Sequence, residues 1–155
     1  MDGRAGARWH AGPVTVPGAV TPPPAAVLYA KDVDRVSGFY AAVAGLVRTD
    51  RGEGHVVLTL PGPQAGAWEL IVHAIPVAVA EGIHLTSPPQ RREDAVTKLV
   101  FPVADLARAR WEAARVGGVV DPAEREWSWS GVRACDGHDP EGSVFQVRLA
   151  DGTTA

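Results

Sequence analysis

Hydrophobic residues in the first half of the chain pass from a short apolar run to helical spacing and then back to short runs. The run 25–31 predicts a strand, and apolar residues at every third or fourth position from 33 to 43 predict a helix. Asp32 is placed to cap this helix, and Gly45 is placed to end it. Three further predicted strands, separated by glycine and proline turns, cover 46–50, 56–60 and 68–75. The predicted order is β-α-β-β-β.

The same succession returns 73 residues later, the offset that separates Asp32 from Asp105. A strand at 98–103 precedes Asp105, and a helix from Leu106 to Val116 follows it. Gly118 falls on Gly45 at this offset. The remaining predicted strands cover 119–120, 127–135 and 143–149. An internal repeat of this kind predicts an α+β fold with two βαβββ modules in tandem, forming a curved mixed sheet around a cleft.

Glycine and proline mark the boundaries of the predicted domain. Residues 1–24 contain four glycines and the run Pro22-Pro23-Pro24, a composition that resists helix and sheet and predicts a flexible N-terminal tail. The interval 76–95 predicts a connector between module one, 25–75, and module two, 96–150. We therefore expect a single domain over 25–150.

Composition and charge exclude several classes of function. The chain has 155 residues, 46% of them hydrophobic, which suffices for one core. The net charge of −3 and the lack of a basic stripe argue against nucleic acid as a partner. No apolar run approaches the ~18–20 residues that cross a bilayer, so we expect no membrane partner. Cys135 is the only cysteine, so no intramolecular disulfide can form, and we expect a cytoplasmic protein.

Three motifs identify the domain as similar to the vicinal oxygen chelate superfamily. They are Lys31-Asp32-Val33-Asp34-Arg35 with Gly38-Phe39-Tyr40 and Gly45-Leu46, then Pro102-Val103-Ala104-Asp105-Leu106, then Asp139-Pro140-Glu141-Gly142-Ser143 with Val144-Phe145-Gln146-Val147. This superfamily includes glyoxalase I, extradiol dioxygenases, fosfomycin-resistance enzymes and bleomycin-binding proteins. The resemblance covers about residues 25–150 and implies the fold more firmly than the chemistry, because one fold hosts many activities.

The resemblance also implies where a metal ion would bind. Metal-dependent members of the superfamily place one ligand on the first strand and one on the last strand of each module. These positions fall on Ala25, Glu69, Lys98 and Gln146. Alanine has no donor atom, lysine is a cation and glutamine is a weak ligand, so Glu69 is the only plausible inherited ligand. We expect no metal cofactor, and a divalent metal remains the disfavoured alternative.

Glu69 and Lys98 suggest that an ion pair takes the place of the metal. We expect both side chains to project into the cleft from neighbouring central strands, with the ammonium group standing where the cation would be. A purely structural ion pair is the open alternative. Tyr29 shares the cleft-facing side of the first strand and is a candidate hydrogen-bond donor or general acid beside Glu69 and Lys98.

The aromatic residues suggest a ligand surface. Trp127 and Trp129 alternate with serines on a predicted strand, and Arg133 shares their side if the strand is continuous. Two indoles and a guanidinium suit a flat, partly polar organic ligand, to which Gln146 and His73 would also contribute. Packing in the core or in a dimer interface is the alternative for the tryptophans.

The other ionisable residues give weaker indications of function. The cluster Asp136, His138, Asp139 and Glu141 is interpreted as a solvated hairpin rather than a cation site, and His55 and His84 as isolated surface histidines.

The sequence leaves three functions open. The first is a metal-free, small-molecule-binding protein of the glyoxalase/bleomycin-resistance type, with an aromatic or polar organic ligand in the cleft. The second is an enzyme, either a metal-free isomerase, cyclase or lyase, or a metal-dependent lyase or dioxygenase if the ligand positions are misaligned. The third is a structural dimer with a vestigial cleft. A homodimer is implied by the resemblance.

Overall fold

The computed structural model describes residues 21–150, so most of the predicted tail at 1–24 lies outside the described residues. Module one has the predicted β-α-β-β-β order. Its strands form a four-stranded sheet, sheet A, in the order β1-β4-β3-β2, with β1 parallel to β4. The elements are β1 (Ala25–Ala30), α1 (Val33–Ala44), β2 (Val47–Gly52), β3 (His55–Thr59) and β4 (Glu69–Ala74).

Module two repeats this arrangement with one additional strand. Its central order is β5-β9-β8-β6, and β7 pairs with β8 to complete sheet B. A short helix, α2 (Val77–Ala80), lies in the connector, where no helix was predicted. The remaining elements are β5 (Leu99–Pro102), α3 (Leu106–Arg115), β6 (Val119–Val120), β7 (Trp127–Trp129), β8 (Val132–His138) and β9 (Val144–Ala150). The predicted fold class is confirmed.

The single strand predicted at 127–135 is wrong, because the chain reverses direction within it. Trp129 pairs with Val132, which leaves Ser130 and Gly131 as a two-residue turn. Both turn residues have positive φ, 51° and 74°, the backbone conformation of a tight hairpin whose twist matches its strands. The result is the hairpin β7–β8 instead of one long strand.

The helix caps follow the predicted chemistry. The Asp32 carboxylate accepts a hydrogen bond from the Arg35 amide at 2.9 Å, and Gly45 ends α1 in the left-handed conformation. The Asp105 carboxylate accepts bonds from the amides of Ala107 and Arg108. No helix within residues 21–150 is long and apolar enough to cross a bilayer.

The two modules share one hydrophobic core. Helix α1 contacts α3, and its aromatic side chains reach the helix-facing side of sheet B. The Phe39 and Phe145 rings meet edge to face at 5.4 Å, and the Tyr40 and Phe101 rings lie 5.2 Å apart. Because α1 also packs on β3 and β4, removing either module would expose the core of the other.

The turn between β8 and β9 joins the two modules through hydrogen bonds. The buried Glu141 carboxylate accepts hydrogen bonds from the backbone amides of Lys31 at 2.9 Å and Asp32 at 2.7 Å. Asp139 in the same turn accepts from the Tyr40 hydroxyl at 3.2 Å. Burial raises the pKa of Asp139, although its hydrogen bonds oppose the shift. The end of β1 is therefore held beside the start of β9.

We predict that Glu141→Gln lowers the free energy of unfolding by about 1–3 kcal/mol, because the amide nitrogen cannot accept a hydrogen bond and leaves a partly buried backbone donor unpaired. Urea unfolding followed by circular dichroism measures this. Glu124→Gln, at an exposed position, is the control and should change stability by less than about 0.5 kcal/mol. Equal effects of the two substitutions would contradict the role assigned to Glu141.

Candidate functional site

Each sheet has one side packed on the helices and one side turned away from them, here called open face A and open face B. Along β1 the exposed positions alternate with partly buried ones, so that Val27 and Tyr29 are more than half exposed on open face A. On open face B, register places Trp127, Ala134 and Arg148 in one row across β7, β8 and β9. Every inherited metal position lies on, or directly before, a strand of these two faces.

A chain of hydrogen bonds crosses open face B. The Lys98 ammonium donates to Asp136 Oδ2 at 2.6 Å, and Gln146 Nε2 donates to Asp136 Oδ1 at 2.9 Å. Arg148 Nε then donates to Gln146 Oε1 at 2.8 Å. We call these four residues the Lys98–Arg148 network. Gln146 is buried and the other three members are partly exposed, so the network is both fixed and accessible.

The network keeps Asp136 ionised. Partial burial by itself raises the pKa of Asp136, but hydrogen bonds from Lys98 and Gln146 outweigh burial and lower the pKa below its ordinary value. A carboxylate held in this way is a stable negative charge and a poor proton acceptor near neutral pH.

The predicted pairing of Lys98 with Glu69 is wrong, because the ammonium group is bound to Asp136 instead. Glu69 belongs to sheet A, where it pairs in register with Ala25 and Thr59. The sequence leaves open whether the modules pair within one chain or between two, and within one chain Lys98 and Glu69 belong to different sheets.

The inherited metal positions are divided between the two sheets of the chain. Glu141 holds the start of β9 beside the end of β1, and the Trp68 ring, just before β4, packs 6.0 Å from the Phe101 ring on β5. The strands of the two modules therefore run in opposite senses past each other. Ala25 and Glu69 pair on sheet A, whereas Lys98 and Gln146 belong to sheet B, where Asp136 bonds both of them.

The residues at these positions do not fit a divalent metal. Ala25 offers no donor atom, and the Lys98 ammonium repels a cation while it is paired with Asp136. The Gln146 side-chain oxygen is already occupied by Arg148. Across residues 21–150, no three His, Cys, Asp or Glu side chains are grouped closely enough to hold a metal ion.

The two tryptophans lie on open face B with indoles that are 43% exposed for Trp127 and 68% exposed for Trp129. The expectation that Arg133 shares their face is wrong. The β7–β8 hairpin pairs Ser128 with Arg133, so the arginine lies on the opposite side, 3.6 Å from Glu126. In a continuous strand, Arg133 would lie on the same side as Trp127 and Trp129, whereas the two-residue turn shifts the alternation of sides by one residue.

Open face A carries a row of ring side chains. Tyr29, His73 and His55 are neighbours in register across β1, β4 and β3. The Tyr29 and His73 rings lie 5.8 Å apart, and the His73 and His55 rings are stacked at 6.2 Å. His55 is therefore not isolated, and it also lies 3.4 Å from Asp50. Tyr29 is six-tenths exposed and does not contact Glu69 or Lys98 through any hydrogen bond.

Sequence reasoning missed two members of the network, Asp136 and Arg148. Asp136 had been grouped with the acidic turn, whereas the structure separates it from Asp139 and Glu141. The register of the hairpin contained the necessary signal. Counting back from the Asp139–Gly142 turn pairs Asp136 with Gln146 and Ala134 with Arg148.

Comparison with known proteins agrees with this architecture. A family model described as a glyoxalase-like domain matches residues 25–148. A glyoxalase/bleomycin resistance protein/dioxygenase family enzyme from Burkholderia phytofirmans PsJN superposes with a TM-score of 0.56 at 15% identity, covering 81% of this chain and 96% of that one. The fosfomycin resistance protein FosX from Listeria monocytogenes gives 0.54 at 10% identity, covering 84% and 94%.

Lactoylglutathione lyase from Agrobacterium tumefaciens superposes with a TM-score of 0.50 at 20% identity, covering 91% of this chain and 100% of that one. No curated protein matches the sequence. At these identities the structural likenesses establish the fold alone.

We predict that Lys98→Met raises the pKa of Asp136, because the variant removes the ammonium group that favours the carboxylate. In the wild type, the stability contributed by this pair is complete above the pKa of Asp136 in the unfolded chain. It is lost as the pH falls through the lowered folded pKa. Carboxyl-carbon NMR titration measures the shift. Lys31→Met is the control, since that ammonium donates to the Ile83 carbonyl, and an unchanged Asp136 titration in Lys98→Met would contradict the assignment.

Proposed function

Because the chain belongs to the glyoxalase-like domain family, we propose that it binds a small organic molecule against open face B, with a fixed lysine ammonium in place of a metal ion. The observation that carries this proposal is the hydrogen-bond chain from Lys98 through Asp136 and Gln146 to Arg148. It occupies two of the four inherited metal positions. Its polar atoms are oriented by one another before any ligand arrives, which lowers the entropic cost of binding.

Binding is better supported than acid–base catalysis. The Asp136 carboxylate is held ionised by its lowered pKa, so it is a weak base. Tyr29 and Glu69, the other candidates for proton transfer, lie on open face A and not in the network. Exposed indoles beside a fixed polar network are typical of ligand recognition, where aromatic surface supplies contact area and polar groups set orientation.

We propose further that the protein is a homodimer. In one chain, Ala25 and Glu69 lie on open face A and Lys98 and Gln146 on open face B, and both faces carry exposed apolar side chains such as Val27 and Val100. A second copy related by two-fold symmetry can bring open face A of one chain over open face B of its partner. Two equivalent clefts result, each with Glu69 from one chain and Lys98 from the other.

We predict that the protein purified without chelator contains fewer than about one divalent ion per ten chains, because three of the four inherited positions lack a suitable donor. Inductively coupled plasma mass spectrometry measures this. The positive control is the triple variant Ala25→His, Lys98→His, Gln146→Glu, which restores imidazole and carboxylate ligands around Glu69 and should gain about one zinc ion per chain. Stoichiometric metal in the wild type would overturn the proposal, and a folded variant that binds none would contradict the assigned positions.

We predict that sedimentation velocity at micromolar concentration shows a particle of twice the 16.3 kDa chain mass. Two open faces with exposed apolar side chains favour association, because their burial removes apolar surface from water. A particle of one chain mass, unchanged when the protein concentration is raised tenfold, would contradict the homodimer.

A further inference from the structure

Arg148 and Lys98 have hydrogen-bond partners of different charge. Lys98 and Asp136 form a pair at 2.6 Å whose charges cancel. Arg148 donates through Nε to the neutral carbonyl oxygen of Gln146, and no ion pair within residues 21–150 includes it. Its two terminal nitrogens make no hydrogen bond to those residues. The Lys98–Arg148 network therefore has a net charge of +1, which is the charge of the Arg148 guanidinium, and its terminal nitrogens remain available to a ligand.

Aromatic surface lies beside this charge. Trp127, Ala134 and Arg148 form one row across β7, β8 and β9, with strands about 4.8 Å apart, so the tryptophan and arginine backbones are ~10 Å from each other. Only the methyl group of Ala134 stands between them, and Ala134 is 1% exposed although it lies on the open face. Neighbouring side chains therefore close over it. The second indole, Trp129, lies in the next row and is 68% exposed.

We infer that the ligand is an aromatic carboxylate, an inference that rests on the proposed function and deepens it. The terminal nitrogens of Arg148 form a planar fork that matches the two oxygens of a carboxylate. A flat ring extending from that carboxylate, over the side chains that cover Ala134, reaches toward the exposed indole of Trp127, where aromatic stacking adds contact area. Asp136, held as an anion by Lys98, disfavours a further negative group placed directly beside it.

The test uses three probes that share one ring system and differ in charge. Isothermal titration calorimetry of the full chain measures naphthalene-2-carboxylate, the neutral naphthalene-2-carboxamide and the cationic naphthalen-2-ylmethylamine. We expect the carboxylate to bind at least about tenfold more tightly than the carboxamide, because a hydrogen bond to a charged group is stronger than one between neutral groups. The amine should bind more weakly than either.

Two substitutions, each with a control, test which residues cause the preference for the carboxylate. Arg148→Met should lower carboxylate affinity by about tenfold or more and leave carboxamide affinity nearly unchanged, whereas Arg133→Met, on the opposite side of the same hairpin, should alter neither. Trp127→Leu should weaken the carboxylate and the carboxamide alike. Its control is Trp111→Leu, which removes an exposed indole from α3 outside open face B.

Equal affinity for carboxylate and carboxamide, an equal loss in Arg148→Met and Arg133→Met, or no binding of either probe at millimolar concentration would each overturn the inference. These outcomes are separate from failure of the proposed function, which would show as stoichiometric metal in the same preparation. A metal-free protein that prefers the amine would retain the cleft and refute the carboxylate.

Discussion

The buried carboxylate of Glu141, bound to two backbone amides at the end of β1, is the contact on which the arrangement of the two modules depends. A carboxylate buried without partners would be costly, and this one is satisfied only if the modules hold their present orientation. The bond between Tyr40 and Asp139 reinforces the same turn from within the core. Together they place the start of β9 beside the end of β1. The inherited metal positions are divided between the open faces of the two sheets.

This arrangement changes what the inherited positions can do. Lys98 and Gln146 remain together on one open face, where they are joined by Asp136 and Arg148 into a network with one net positive charge. A metal ion would polarise a ligand oxygen through coordination. A fixed ammonium and guanidinium can only attract and orient it, which favours recognition of an anion over Lewis-acid chemistry. The same positive charge disfavours cationic ligands.

Local sequence signals predicted most of the fold, because caps and apolar spacing are short-range. Asp32 and Asp105 cap their helices as expected, and the repeat between them predicted the paired modules. The failures involve register and distant contacts. The tight turn at Ser130 and Gly131 places Arg133 on the opposite face, and Lys98 bonds Asp136 because β9 lies between β5 and β8, which brings both side chains to one face of sheet B. Neither the tight turn nor the contact between distant strands follows from the spacing of apolar residues in the sequence.

The central claim is that a lysine ammonium replaces the metal ion in a cleft completed by a second chain. An anomalous-diffraction crystal structure of protein purified without chelator tests it most directly. The account predicts two chains with open face A of one over open face B of the other, Lys98 bonded to Asp136, and no anomalous peak beside Glu69 or Gln146. A peak coordinated by Glu69, with the Lys98 ammonium displaced from Asp136, would contradict it.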